Sequence, residues 1–96
     1  MHVISKAALL EIWKKLPESK APLETWHKLA RLGDFSDFHQ LKTVFSSADA
    51  VGQFTVFDIG GNKYRLIAAI HYNRRRIYSR NVLTHSQYDR DGWKAN

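Results

Sequence analysis

Along the first half of the chain, apolar positions recur with the spacing of a helix. Leu9, Ile12, Trp13 and Leu16 fall at i, i+3, i+4 and i+7, with Glu11, Lys14 and Lys15 between them, and Pro17 ends the run. Ser5 is placed to cap that helix. A second helix opens with Pro22 in its first turn and Glu24 close behind, where a preset φ and an anion both suit a helix start. Its apolar stripe is Trp26, Leu29 and Ala30, and Gly33 stops it. A short third helix beginning at Ser36–Asp37 presents Phe38, Leu41 and Phe45 on one face. The aromatic residues in these stripes belong to a core.

After Gly52 the period falls to two. Phe54–Ile59 is rich in aromatic and β-branched residues, and Gly60-Gly61-Asn62 breaks it in the manner of a hairpin turn. Tyr64–Tyr72 makes a longer strand, Asn73–Arg75 a second turn and Arg76–Leu83 a third strand. Thr84 with Gln87 three residues later is a capping box that announces a last helix, after which the chain runs out through Gly92. Helices first and a meander later define an α+β fold. The N-terminal helices pack on one face of a small antiparallel sheet, and a short helix closes the chain.

A two-residue turn at Asn73-Arg74 pairs Ile70 with Ile77 and Ala69 with Tyr78. In that register Tyr64, Leu66, Ala68, Ile70, Ile77 and Leu83 share the core face. The opposite face gathers Arg65, His71, Arg76, Tyr78 and Arg80, with Ala69 leaving space among them. Such a basic face with an aromatic ring suits a phosphodiester backbone and a stacked base. His85 and Tyr88 sit three residues apart at the start of the last helix, on one side of it. A neutral imidazole can serve as a base there, and a tyrosine hydroxyl can pass or accept a proton.

The 96-residue length allows one domain spanning residues 1–96, and 44 % apolar with 25 % charged residues describes a folded chain. The absence of cysteine excludes disulfides, thiolate metal sites and thiol nucleophiles. His2, His27, His39, His71 and His85 show no paired ligand spacing, so neither a metal nor another cofactor is expected. No apolar run approaches the ~18 residues of a membrane span, which points to a cytoplasmic protein. Charge is the informative quantity. Residues 1–59 balance seven cations against seven anions, whereas residues 60–96 carry eight cations against Asp89 and Asp91 and hold the entire net charge of +6. Most of those cations are arginine, whose planar fork suits phosphate.

The segments Val56-Phe57-Asp58-Ile59-Gly60-Gly61-Asn62-Lys63-Tyr64-Arg65-Leu66 and Ile77-Tyr78-Ser79-Arg80-Asn81-Val82-Leu83-Thr84-His85-Ser86-Gln87-Tyr88-Asp89, in that order, closely resemble the HigB-type toxins of bacterial type II toxin–antitoxin systems, within the RelE-like group. The resemblance implies an endoribonuclease that cuts messenger RNA on the ribosome without a metal. It also implies a HigA-type helix-turn-helix antitoxin as the cognate partner. Carried over by position, Arg65 and Arg80 would stabilise the phosphate under attack. His85 or Tyr88 would be base or acid, while Lys63, Arg74, Arg75 and Arg76 would grip RNA. Two other classes stand beside it. One is a nucleic-acid-binding module without catalysis, and the other is a ParE-like toxin that acts by interaction alone. The Thr-His-x-x-Tyr helix start favours the nuclease.

Overall fold

The structure, a computed structural model, describes residues 1–4, 6–61 and 63–90, apart from the side chains at 6–8 and 10. The proposed Ser5 cap, Asn62 of the turn and the tail through Gly92 lie outside the described residues. In chain order the elements are β1 (His2–Ile4), α1 (Lys6–Lys15), α2 (Lys20–Leu32), α3 (Phe38–Val44), β2 (Asp49–Val51), β3 (Phe54–Ile59), β4 (Tyr64–His71), β5 (Arg76–Thr84) and α4 (His85–Asp89). Short 3-10 turns at Pro17–Ser19 and Tyr72–Arg74 join α1 to α2 and β4 to β5.

The helices end where the local chemistry says they should. Pro17 follows α1, and Gly33 closes α2 in an extended rather than a left-handed conformation. Asp37 caps α3 by accepting from the Gln40 N–H at 2.9 Å. At α4 both halves of the Thr84/Gln87 capping box are formed.

The expected meander β3-β4-β5 is present and forms the middle of a five-stranded sheet of order β1-β5-β4-β3-β2. Two short strands flank it, and β1 runs parallel to β5, so the sheet is mixed. The turn after β3 uses Gly60 and Gly61 at φ 64° and 62°, a region open to glycine at little cost. The β4–β5 connection holds four residues, Tyr72–Arg75, rather than two. An even number preserves the parity, so Ile70 still faces Ile77 and Ala69 still faces Tyr78.

One sequence expectation fails at a specific place. A β-bulge between Ile67 and Ala68 sets Ile67 opposite Asn81 and Ala68 opposite Ser79, which leaves Arg80 as the extra residue. Beyond it the strand's faces are exchanged. Val82 joins the core and Leu83 moves to the opposite face. A second expectation fails on α2, which buries Leu23, Trp26 and Ala30 and leaves Leu29 41 % exposed.

The three N-terminal helices cover one face of the sheet. Leu9, Leu23, Trp26 and Leu41 bury against Phe57, Ile59, Leu66, Ala68 and Ile77. Phe57 receives Trp26 and Phe45 edge-on at 5.4 and 5.0 Å. Leu66 is fully buried at the centre, and its truncation to alanine would cost about 2–5 kcal/mol. Tyr64 is buried here too and donates to Glu18 Oε1 at 3.2 Å; burial first, then Glu18, raises its phenol above the usual tyrosine value. The helical layer thus leaves the other face of β3-β4-β5 uncovered by α1–α3.

Candidate active site

The face opposite α1–α3 is floored by apolar side chains rather than bare. Phe54, Val56 and Ile67 are buried there, with Ala69, Leu83 and Tyr88 packed around them. Leu83 reaches this floor because of the bulge, and it helps seat Tyr88 of α4. The site is therefore a shallow polar rim around an apolar floor, and its two ends differ.

At the α4 end four candidate features converge. Arg65 is largely withdrawn from water, with 11 % of its side chain exposed, and its Nε donates to Asp58 Oδ1 at 3.1 Å. Asp58 stands directly opposite Arg65 in the β3–β4 ladder. Nη2 of Arg65 approaches His85 Nδ1 at 3.4 Å, and its guanidinium lies 5.6 Å from the centre of the Tyr88 ring. The backbone N–H of His85 donates to the Lys63 carbonyl at 3.2 Å, which ties the start of α4 to the β3–β4 turn. His85 Nε2 in turn meets Asp89 Oδ2 at 3.2 Å, one helical turn on. Arg65, His85, Tyr88 and the Lys63 backbone are thus brought together, with two carboxylates that the sequence reading did not select. Asp89 was signalled by its i, i+4 spacing from His85. Asp58 had no local signal, because its partner is set by strand register.

Arg80 belongs to the same face. Its guanidinium lies over the Phe54 ring, 4.9 Å from the centre, with Phe54 part of the floor that Tyr88 also joins. It also borders a notch of about 160 Å³ with Asn81, Glu11 and Lys15, so the site reaches the edge where α1 passes β5. Towards the other end of the strands, His71, roughly 20 Å along β4 from Arg65 at ~3.4 Å per residue, meets Tyr78 edge to face at 5.2 Å. Arg76 Nη1 approaches the Tyr78 hydroxyl at 3.5 Å, and Arg74 is exposed beside them.

Arg75 departs from its neighbours. It sits at φ 55°, its Nε pairs with Asp34 at 2.6 Å, and its Nη1 donates to the Tyr72 carbonyl. Its guanidinium is paired with the segment after α2, which sets it apart from Arg74 and Arg76. A groove of about 830 Å³ between α1 and α2, lined by Trp13, Lys20, Glu24 and Lys28, contains none of the converging residues and lies outside the site. Among the described residues no three His, Asp or Glu side chains are grouped to hold a metal ion, and no helix is long and apolar enough to cross a membrane.

The chemistry available is that of cations and proton carriers around a phosphate. Two guanidinium groups can neutralise charge developing on phosphoryl oxygens, and an imidazole and a phenol stand beside one of them. Comparison with known proteins points the same way. Residues 19–91 match the family model described as "HigB_toxin, RelE-like toxic component of a toxin-antitoxin system". The chain is 31 % identical over 93 residues to an "mRNA interferase HigB" of Escherichia coli O6:H1, covering 94 % of this chain and 90 % of that one. It is 34 % identical over 92 residues to the "mRNA interferase toxin HigB" of Escherichia coli K12, covering 93 % and 88 %. An "mRNA interferase HigB" of Shigella flexneri is also 34 % identical over 92 residues.

Proposed function

The chain belongs to the HigB family of RelE-like toxins, and from that membership and the site geometry we propose that it is an endoribonuclease that cleaves messenger RNA on the ribosome. The observation that carries the reading is the cluster of Arg65, His85 and Tyr88, with Arg80, on the sheet face that α1–α3 leave uncovered. The toxin acts in the cytoplasm, where its substrate is, and a HigA-type helix-turn-helix antitoxin neutralises it.

The nucleophile lies in the substrate. The ribose 2′-OH attacks the adjacent phosphorus, and the P–O5′ bond breaks, leaving a 2′,3′-cyclic phosphate and a free 5′-OH. Arg65 and Arg80 hold the phosphoryl oxygens as negative charge builds on them, each worth about 10²–10³ in rate. His85 and Tyr88 divide the two proton transfers, one taking the 2′-OH proton and the other supplying a proton to O5′. Lys63, Arg74 and Arg76 hold the backbone of messenger or ribosomal RNA, and His71 with Tyr78 offers rings for an unstacked base. None of these steps requires a metal.

Cell-free translation with the purified protein tests the proposal. Messenger fragments with 5′-OH ends mapped within translated codons are expected, with free messenger cut poorly. Intact messenger alongside active ribosomes would overturn it, and so would cleavage abolished by chelator where ribosomes survive.

A further inference from the structure

Two carboxylates touch the candidate catalytic side chains, and neither has a role in the reaction described above. Asp58 holds Nε of Arg65 at 3.1 Å, and Asp89 holds Nε2 of His85 at 3.2 Å. Between them Arg65 Nη2 meets His85 Nδ1 at 3.4 Å, so the four side chains form one line, Asp58–Arg65–His85–Asp89. We infer that Asp58 and Asp89 are positioning residues that set the guanidinium of Arg65 and the tautomer of His85, a role that rests on the nuclease reading.

Hydrogen-bond inventory decides the tautomer. A guanidinium has donors only, so Nδ1 of His85 must face it with a lone pair. The neutral ring then carries its proton on Nε2, and Asp89 is placed to accept it. The two contacts agree, each requiring the same tautomer. The basic nitrogen is thereby aimed at the cation that is to bind phosphate. When a phosphoryl oxygen takes the Nη2 donor, Nδ1 is released beside that phosphate, where the 2′-OH of the attacked nucleotide must lie.

The energetics favour positioning over stability for Asp89. Its pair with His85 is 51 % and 61 % exposed, and such pairs contribute about 0–1 kcal/mol. Asp58 differs because Arg65 is only 11 % exposed and cannot shed its charge. Its partner fixes the rotation of the fork, since the Nε edge is held while the outer edge faces His85.

The test uses the full chain, single-turnover cleavage of ribosome-bound messenger, and the imidazole ¹⁵N signals of His85 without RNA. Asp89→Ala should lower kcat about two- to fivefold with KM unchanged, and Asp89→Asn, which keeps an acceptor, should restore most of it. Asp58→Ala should cost about 10²-fold through misplacement of Arg65. In an Arg65→Ala background Asp58→Ala should cost nothing further, and likewise Asp89→Ala in His85→Ala. The ¹⁵N signals should show the Nε2–H tautomer in the unmodified protein and a mixture in Asp89→Ala, because the 3.4 Å contact to Arg65 is too long to hold the tautomer by itself. Because Asp58→Ala can disturb folding, its melting is compared with that of Asp58→Asn. Losses that multiply in the double variants, or that follow melting temperature, would overturn the inference. A cutting protein indifferent to both carboxylates would also overturn it, whereas a protein that cuts no messenger would overturn the nuclease reading instead. In that last case an unchanged tautomer in Asp89→Ala would remove the positioning role as well.

Discussion

The guanidinium of Arg80 lies over the ring of Phe54, 4.9 Å from its centre, so a cation on β5 is seated by an aromatic residue two strands away. The row between them explains how it reaches. Phe54 lies next to the Thr55–Ala68 pair and Ala69 faces Tyr78, so β4 contributes only a methyl group there. A cation–π contact at an exposed site is worth about 0.5–1 kcal/mol. Phe54→Leu should therefore slow saturated cleavage about two- to fivefold while lowering stability by about 1 kcal/mol. Parallel measurement of single-turnover rate and thermal melting checks it. An unchanged rate would mean that Arg80 needs no seat.

Removing either proton carrier should stop chemistry and leave the fold. The cap of α4 comes from Thr84 and Gln87, not from His85, so His85→Ala keeps the helix start intact. His85→Ala and Tyr88→Phe should each lose about 10²–10⁴ in rate. In cells both variants should be non-toxic, yet they should still bind antitoxin and melt cooperatively. A fully active His85→Ala protein of unchanged stability would leave Tyr88 as the base.

Binding and chemistry should separate along the length of the sheet. Arg74 and Arg76 are exposed at the end far from His85, whereas Arg75 is paired with Asp34. Arg74→Gln and Arg76→Gln should each weaken RNA association and reduce its log–log salt slope by about 0.7 per lost contact. Arg75→Gln should change the slope less. Saturated cleavage should hold in all three, and titrations at several salt concentrations provide the measurement.

Alkali should destabilise the protein through buried phenols. The phenols of Tyr64 and Tyr72 are both raised above the ordinary tyrosine value of 10.0, in each case chiefly by burial. A raised folded-state value means that their contribution is fully present below pH 10, where both states are protonated. It is lost as pH rises further, because the unfolded chain ionises first. Melting temperature should therefore fall above pH 10. Tyr64→Phe combined with Tyr72→Phe should flatten that fall, and melting curves on either side of pH 10 test it.

Local signals were legible wherever a short stretch of chain carries its own reason. The α1 period, the Asp37 and Thr84 caps, the glycine turn and the Ile70–Ile77 register all depend on neighbours within about one helical turn or one hairpin. That register also put Arg65 on the face opposite the core, whereas its meeting with His85 and Tyr88 came with the fold. What the sequence could not state was decided by pairing between distant strands. The bulge at Arg80 arises from how β5 fits β4, and because Val82 and Leu83 are both apolar, no pattern shows which one faces the core. Three residues of β1 are too few to display a period, and their parallel partner lies more than 70 positions away. The carboxylate facing Arg65 lies across the β3–β4 hairpin, whose register depends on a turn length that Gly60-Gly61-Asn62 leaves open, and the Arg75–Asp34 pair comes from the approach of the segment after α2 to the β4–β5 turn. Amino-acid order by itself determined the helices, the three-strand meander, most of their inward faces and the basic character of the last third. Tertiary structure decided which charges from separate segments meet, since an ion pair needs two side chains within about 4 Å and only the folded sheet sets that distance for Arg65–Asp58 and Arg75–Asp34.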